Sequence, residues 1–147
     1  MVDYFLRPAR LDDFPAIRSL IRAVRINPTG LDWQRFVVAE TNDGLLVGCG
    51  QVKPHRDGTL ELASIAVEQD FRHQGVARAL IADLLRHYPR PLYLMCRSGL
   101  GSFYERFGFQ VVPPEQMPPY FRRIQNLAGV FGILRPGGGS LLVMRLV

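Results

Sequence analysis

The sequence predicts an α+β fold built on a mixed sheet of about seven strands, and three observations point to it. Short apolar segments alternate with amphipathic helical segments along the 147 residues. Three strands follow one another directly between residues 36 and 67, separated only by turn signals, which is typical of antiparallel pairing. A helical crossover at 76–87 then joins two strands, which favours a parallel pair flanking that helix.

Turn residues and helical periodicity place the individual elements. Asp13 and Pro15 mark the start of the first helix. Asn42-Asp43-Gly44 is a strong hairpin signal, and His55-Arg56-Asp57-Gly58 forms a second turn. The predicted strands are 4–7, 36–40, 45–53, 59–67, 91–96, 109–112 and 141–147. The later helices are predicted over 76–87 and 102–107 and, after Pro118-Pro119, on the face formed by Phe121, Ile124, Leu127, Phe131 and Leu134.

Length and composition indicate one globular domain spanning 1–147, since 48% of the residues are hydrophobic and 21% are charged. No apolar run approaches the roughly 20 residues that a membrane helix requires. The first residues lack the basic-then-apolar pattern of a secretory signal, so we expect a cytoplasmic protein without a membrane partner.

Cysteine and histidine spacing predicts neither a disulfide nor a metal site. Cys49 and Cys96 each lie in an apolar segment, where a small buried thiol is the common outcome. His55, His73 and His87 show no short spacing to one another or to a cysteine. We therefore expect two free thiols and no bound metal.

The charge balance makes a nucleic acid or a phosphorylated ligand a partner to consider, although solvated surface charge accounts for most of the arginines. Lys and Arg total 18 against 13 Asp and Glu, for a net charge of +5, and Lys53 is the only lysine. Arginine binds phosphate through paired hydrogen bonds. The arginines are scattered and form no basic stripe, so nucleic-acid binding is the weaker alternative.

The segment from Glu61 to Ile81 is the most informative part of the chain. A buried strand passes through a polar turn into the N-terminus of an amphipathic helix, with Gly75 at the entrance. Such a turn presents unpaired N–H groups and the positive end of the helix dipole, which together bind phosphate. Arg72, His73 and Arg78 add positive charge nearby. On spacing alone, an ordinary strand-to-helix turn without a ligand is an equal alternative.

Three motifs resemble the GNAT superfamily of N-acyltransferases. Arg72-x-x-Gly75-x-Ala77 after the strand resembles its acyl-CoA pyrophosphate motif. The aromatic-rich stretch from Phe103 to Phe109, with Gly108, is similar to its second hallmark, and the opening Leu6-Arg7-Pro8-Ala9 is also similar. The likeness covers essentially the whole chain. It implies a GNAT-like, mostly antiparallel sheet with helices on both faces and a splayed parallel strand pair.

The resemblance also implies an activity, the transfer of an acetyl group from acetyl-CoA to a primary amine by direct attack in a ternary complex. The strand would hold the pantetheine arm through its backbone, and the turn would wrap the pyrophosphate. The implied acetyl-CoA contacts are Ile65, Ala66, Val67, Arg72, His73, Gln74, Gly75, Val76, Ala77 and Arg78.

Two catalytic residues are implied by position. Tyr104 matches the tyrosine that protonates the leaving thiolate, and Glu61 matches the general-base glutamate of histone-type members. The alternatives are a packed core aromatic for Tyr104, and for Glu61 an exposed hairpin-end carboxylate with ordered water as the base. Arg97 and Leu100 depart from the family pattern, which has asparagine and alanine there, so the contact made at those positions is in doubt.

The acceptor amine carries no readable motif and is either a small molecule or a protein amine. We expect residues 113–136 to form its wall, with a rigid cap or a homodimer contact as the alternative role. The competing function is a non-catalytic acyl-CoA-binding module, or an arginine-rich nucleic-acid-binding module, on a GNAT-like scaffold.

Overall fold

Seven strands and four α-helices follow the predicted order in the computed structural model, which describes residues 3–131 and 140–147. The strands are β1 (Tyr4–Pro8), β2 (Phe36–Thr41), β3 (Leu46–Pro54), β4 (Leu60–Val67), β5 (Leu92–Arg97), β6 (Gln110–Val111) and β7 (Leu141–Leu146). The helices are α1 (Phe14–Val24), α2 (Val76–His87), α3 (Gly101–Glu105) and α4 (Pro119–Phe131). None of the helices in these described ranges has the length and apolar character that crossing a bilayer takes.

The strands form one mixed sheet in the order β1-β2-β3-β4-β5-β7-β6. Antiparallel pairing joins β1 to β2, β2 to β3, β5 to β7 and β6 to β7. The pair of β4 and β5 is parallel, with Glu61 opposite Tyr93. The predicted mixed sheet, with its parallel pair on either side of α2, is confirmed.

The chain divides into two compact units, Met1–Lys53 with Leu62–Tyr88 and Pro54–Glu61 with Pro89–Val147. Strand β4 contributes residues to both of them. That the whole chain is one domain stays a prediction.

In the first unit, α1 and α2 pack on opposite faces of β3. Cys49 lies in the core cluster that contains Ile17 and Ile21 of α1. Neighbouring side chains on a strand point to opposite faces, so Gly48 faces the other side. A Cβ atom placed on Gly48 would lie 2.8 Å from Val76 Cγ1 of α2, so the missing side chain lets α2 approach the sheet closely.

The arginine of the opening motif holds the β1–α1 connection in place. The Arg7 guanidinium donates two parallel hydrogen bonds, of 2.7 and 2.9 Å, to the Asp13 carboxylate. Its Nε also donates to Glu40 Oε1 on β2 at 2.9 Å. The hydrogen bonds from Arg7, working against the cost of burial, lower the pKa of Asp13. The connection between β1 and α1 is therefore fixed by a partly buried ion-pair network.

We expect Asp13→Asn to lower the free energy of unfolding at pH 7 by about 1–3 kcal/mol, because Arg7 loses a charged partner while partly buried. A carboxyl whose pKa is lowered by folding stabilises the fold above its unfolded pKa of about 3.9 and loses that contribution as the pH falls. Urea unfolding of the two proteins should thus differ at pH 7 and converge on acidification. A difference that persists unchanged into acid would contradict this assignment.

The second unit has its own core, formed by β5, β7 and α4. Met117 and Phe121 are buried there against Tyr93, Val112 and Val143. Leu127, predicted on the packed face of the helix, is instead exposed. The predicted positions of the Phe131 side chain and of Leu134 lie outside the residues whose side chains are described.

Candidate active site

The turn between β4 and α2 has the backbone conformation that its glycine predicts. Gly75 precedes the first residue of α2 with φ +84°, and no side chain caps the helix. A Cβ atom on Gly75 would meet no atom within 4 Å, so the space in front of the turn is open. The Tyr4 hydroxyl donates to the Gly75 carbonyl at 3.3 Å and thereby holds the turn. The first N–H groups of α2 thus face an open cradle suited to an anion.

Three of the predicted acetyl-CoA contacts face the core and offer only their backbone. Ala66 and Val76 are buried, with 3% and 2% of their surface exposed. The Ile65 side chain fills the space above Gly50, where an added Cβ would lie 2.6 Å from Ile65 Cδ1. For the strand residues Ile65 and Ala66, the resemblance implies contacts through the backbone, and their binding of acetyl-CoA stays a prediction.

The remaining predicted contacts form a polar rim around the turn. Arg72 Nε donates to the Val67 carbonyl at 3.3 Å, and Gln74 Nε2 donates to the Asp70 carbonyl at 3.3 Å. Ala77 is half-buried in the first turn of α2. The exposed residues of the rim are Arg72, His73, Gly75 and Arg78. The positive charges of Arg72 and Arg78 border the open helix end, which is the electrostatic setting that a pyrophosphate requires.

Tyr104 lies in the second unit, on the short helix α3. Its ring packs edge-on against Phe103 and Phe109, with centroids 5.1 and 6.2 Å apart. Burial, with a smaller contribution from the neighbouring Cys96 thiol, raises the pKa of Tyr104 to about 12. The phenol therefore keeps its proton throughout the neutral range and is available as a hydrogen-bond donor.

The backbone conformation and the close packing at Gly108 explain why a glycine follows the aromatic helix. Gly108 has φ +98°, and an added Cβ would lie 2.9 Å from Leu146 Cδ1 of β7. The N–H of Gly108 donates to the Glu105 carbonyl at 2.9 Å, which closes the end of α3. In the second family hallmark, Gly108 thus forms the turn that ends α3 and leads the chain from Tyr104 into β6.

Glu61 lies in the second unit, in the first half of β4, and it is buried with 5% of its surface exposed. The expectation of an exposed hairpin-end carboxylate is therefore wrong. Its Oε1 lies 2.8 Å from Nε2 of His55, at the end of the β3–β4 hairpin. Within residues 3–131 and 140–147, His55 is the hydrogen-bonding partner of this buried carboxylate, an arrangement that suits a group that exchanges a proton.

His55 is itself held by the start of α4. Its ring stacks on Tyr120 with centroids 3.7 Å apart and meets Phe121 edge-on at 5.7 Å. The Tyr120 backbone N–H donates to Asp57 Oδ2 at 3.4 Å. Burial opposes ionisation of Asp57, but hydrogen bonds from Thr59 and Tyr120 outweigh it and lower the pKa of that carboxyl. The hairpin tip and α4 are thus joined by a ring stack and a charge-assisted hydrogen bond.

Sequence reasoning assigned His55 only to a turn and missed its contact with Glu61. The available signal was the hairpin register. The His55 N–H donates to the Thr59 carbonyl at 2.9 Å, so these two residues oppose each other. Glu61 is two residues beyond Thr59 and shares its face of the sheet, which makes it a diagonal neighbour of His55.

The position that departs from the family pattern lies at the end of β5. Arg97 is exposed, and it pairs with Leu141 of β7. Leu100 is also exposed, in the turn before α3.

Both cysteines are free and buried, and burial raises the pKa of the Cys96 thiol to about 11. In the described part of the chain, no group of three His, Cys, Asp or Glu side chains is arranged to hold a metal ion.

Comparison with known sequences places this architecture in a family. The profile described as "Acetyltransferase (GNAT) domain" matches residues 32–111, which is more than half of the chain. Serotonin N-acetyltransferase of Mesocricetus auratus is 42% identical over an alignment of 67 residues, and the match covers 41% of this chain and 32% of that protein. The chain thus matches about a third of the length of this relative.

Solved structures share the fold. Rv2747 from Mycobacterium tuberculosis, in complex with CoA and NLQ, has a TM-score of 0.74 at 22% identity, covering 97% of this chain and 98% of that one. N-acetylglutamate synthase from Neisseria gonorrhoeae, complexed with coenzyme A and N-acetyl-glutamate, has a TM-score of 0.74 at 20% identity. The match covers 100% of this chain and 36% of that one. The ribosomal-protein-S18-alanine N-acetyltransferase of Escherichia coli has a TM-score of 0.63 at 17% identity, and the match covers 98% of this chain and 93% of that one. With its turn, its aromatic helix and the profile match in agreement, this chain belongs to the GNAT acetyltransferase family.

Proposed function

We propose that this protein transfers an acetyl group from acetyl-CoA to a primary amine by direct attack in a ternary complex. The observation that carries the proposal is the buried Glu61 carboxylate, which lies on the same strand as the backbone predicted to hold the acyl donor. The names of three similar proteins support nitrogen as the acceptor atom, since they acetylate serotonin, glutamate or a protein alanine.

The acyl donor would be held by the turn between β4 and α2. The open space at Gly75, the N–H groups of the first turn of α2 and the exposed Arg72 and Arg78 fit a pyrophosphate. Acetyl-CoA supplies a thioester that is already activated, so no covalent enzyme intermediate is needed. Backbone N–H groups near Val67 would polarise the thioester carbonyl.

Glu61 would act as the general base. An amine is a nucleophile only after its ammonium form has lost a proton, and the carboxylate accepts that proton directly or through one water. Tyr104 would act at the other end of the reaction by donating a hydrogen bond to the departing CoA thiolate.

The acceptor would contact the segment that follows β6, as the sequence analysis expects for residues 113–136. Within it, Tyr120 is half-buried and stacks on His55, so its side chain would meet an acceptor that binds near Glu61. Met117 is 5% exposed and belongs to the core, so its replacement would test stability rather than binding.

We expect Glu61→Gln to lower kcat by about 100-fold or more, because general-base catalysis commonly contributes 10²–10⁴-fold. The wild-type kcat/KM should rise with pH and reach a plateau, and the variant should lose the acidic limb that reports the base. Release of the CoA thiol, measured across pH with serotonin, glutamate and an alanine peptide as acceptors, tests this.

Glu105→Gln is the matched control, because it makes the same chemical change at an exposed residue. It should leave both the rate and the pH profile unchanged. A Glu61→Gln enzyme with the wild-type profile would instead assign the deprotonation to ordered water.

A further inference from the structure

We propose that His55 is a positioning residue for Glu61: its Nε2–H fixes one carboxylate oxygen and leaves the other to accept the proton of the acceptor amine. The inference rests on the proposed function and adds a residue that the family resemblance did not supply. Tyr120 and Asp57 hold His55 in that orientation.

The geometry makes His55 the principal partner of the carboxylate. Nε2 and Oε1 are 2.8 Å apart, and the two side chains are 11% and 7% exposed. At this burial the orientation of the carboxylate is set by the protein, because little water reaches it. A buried carboxylate left without any donor would be costly, so the imidazole N–H both stabilises and orients it.

The second oxygen of Glu61 is free to react. No hydrogen bond to Oε2 is formed within residues 3–131 and 140–147, in contrast to Oε1. In that part of the chain, the one fully buried side-chain nitrogen or oxygen without a partner is Gln51 Oε1. Oε2 is therefore not fully buried, and in the proposed step it is the oxygen that the acceptor amine or a water molecule approaches.

The ring of His55 is fixed from the opposite side by α4. The Tyr120 ring lies 3.7 Å from it, centroid to centroid, at an angle of 20°. Asp57, two residues along the hairpin, accepts a hydrogen bond from the backbone N–H of Tyr120 at 3.4 Å, a second contact between the hairpin turn and α4. The titratable groups that face the imidazole are Glu61 on β4, Asp57 in the turn and Tyr120 on α4. Arg123 interacts with Tyr120, and Tyr93 stacks on Phe121, which meets the imidazole edge-on.

In the proposed step, the acceptor's ammonium N–H bond breaks and an O–H bond forms at Glu61 Oε2. His55 keeps its own proton on Nε2 throughout, and the carboxylic acid then releases its proton to solvent. The nitrogen lone pair freed in this step attacks the thioester carbonyl and forms the C–N bond. The C–S bond then breaks, and the second proton lost by the nitrogen neutralises the departing CoA thiolate. This arrangement requires the neutral imidazole to carry its hydrogen on Nε2, because a carboxylate can only accept.

The test replaces His55 with phenylalanine, which keeps the stack on Tyr120 and removes the donor. We expect kcat to fall about 10- to 100-fold, the scale of a mispositioned catalytic group, with an unchanged KM for acetyl-CoA. The acidic limb of the pH profile should move to higher pH, because a carboxylate that loses a hydrogen bond holds a proton more tightly. His55→Gln, whose amide N–H can reach the Nε2 position, should recover part of both effects.

The matched control is His87→Phe, the same change at an exposed histidine, which should behave as the wild type. If His55→Phe has the wild-type kcat and pH profile, or if His55→Gln is as impaired as His55→Phe, the positioning role is wrong.

Nitrogen-15 NMR of the wild-type imidazole supplies a second test that needs neither turnover nor a stable variant. An Nε2-protonated His55 at neutral pH is expected, and an Nδ1-protonated one would overturn the proposal. The NMR result separates this proposal from the proposed acetyl transfer, which an absence of turnover with every amine would refute.

Discussion

Gly75→Asp is expected to weaken the binding of CoA by about 100-fold or more. The added carboxylate would point into the open space at the end of α2, where no protein atom lies within 4 Å of a Cβ. Two unit charges 4 Å apart repel by about 1–4 kcal/mol near a protein surface, and each 1.4 kcal/mol is a factor of ten in affinity. The pyrophosphate carries more than one charge, so the effect is large. Isothermal titration calorimetry with CoA measures it.

Gly75→Asn is the matched control for this experiment. Asn and Asp have the same size, and both tolerate the left-handed conformation better than other residues with side chains, so the strain at φ +84° is shared. The two variants differ in one charge. We expect Asn to lose a small part of the affinity and Asp nearly all of it. Equal affinities for a folded Gly75→Asp protein and the wild type would remove the turn from the CoA site.

Tyr104→Phe is expected to lower kcat by about 10- to 1,000-fold while the affinity for acetyl-CoA persists. The change preserves the edge-on packing against Phe103 and Phe109 and removes only the hydroxyl. Saturating substrate kinetics separates the two effects. Tyr88→Phe, the same change in the first unit and outside the proposed site, is the control and should leave kcat unchanged.

The raised pKa of Tyr104 also predicts how the rate depends on pH. A phenol with a pKa of about 12 stays protonated until the pH approaches that value. The wild-type kcat should therefore show no loss from Tyr104 ionisation at pH values well below 12. An alkaline decline in that range that disappears in Tyr104→Phe would contradict the environment described for this side chain.

Most of the fold was predictable because its signals are local. The period of α2 and the hairpin at Asn42-Asp43-Gly44 each depend on residues close in sequence, and both are present as predicted. The end of α3 was less predictable. The Phe107 and Gly108 N–H groups bond three residues back, to Tyr104 and Glu105, so the helix tightens and ends before the predicted Phe107.

The site was only partly predictable, because the contact between His55 and Glu61 belongs to no sequence motif. Gly75 and Tyr104 belong to motifs and were found from them. The contact of His55 with Glu61 depends on which residues of the β3–β4 hairpin oppose each other, and the stack on Tyr120 joins residues 65 positions apart in the sequence. Neither arrangement follows from residue types alone.

The central claim, that this chain catalyses acetyl transfer rather than only binding an acyl-CoA, is tested most directly by mass spectrometry. The protein is incubated with acetyl-CoA and the panel of serotonin, glutamate and an alanine peptide, extended to polyamines and lysine peptides. The account predicts that at least one amine gains a single acetyl group, with one CoA released per acetyl group transferred, and that Glu61→Gln and Tyr104→Phe slow this gain. Acetyl-CoA that binds with calorimetrically measurable affinity while no amine gains an acetyl group would contradict the account and leave a binding module on a GNAT scaffold.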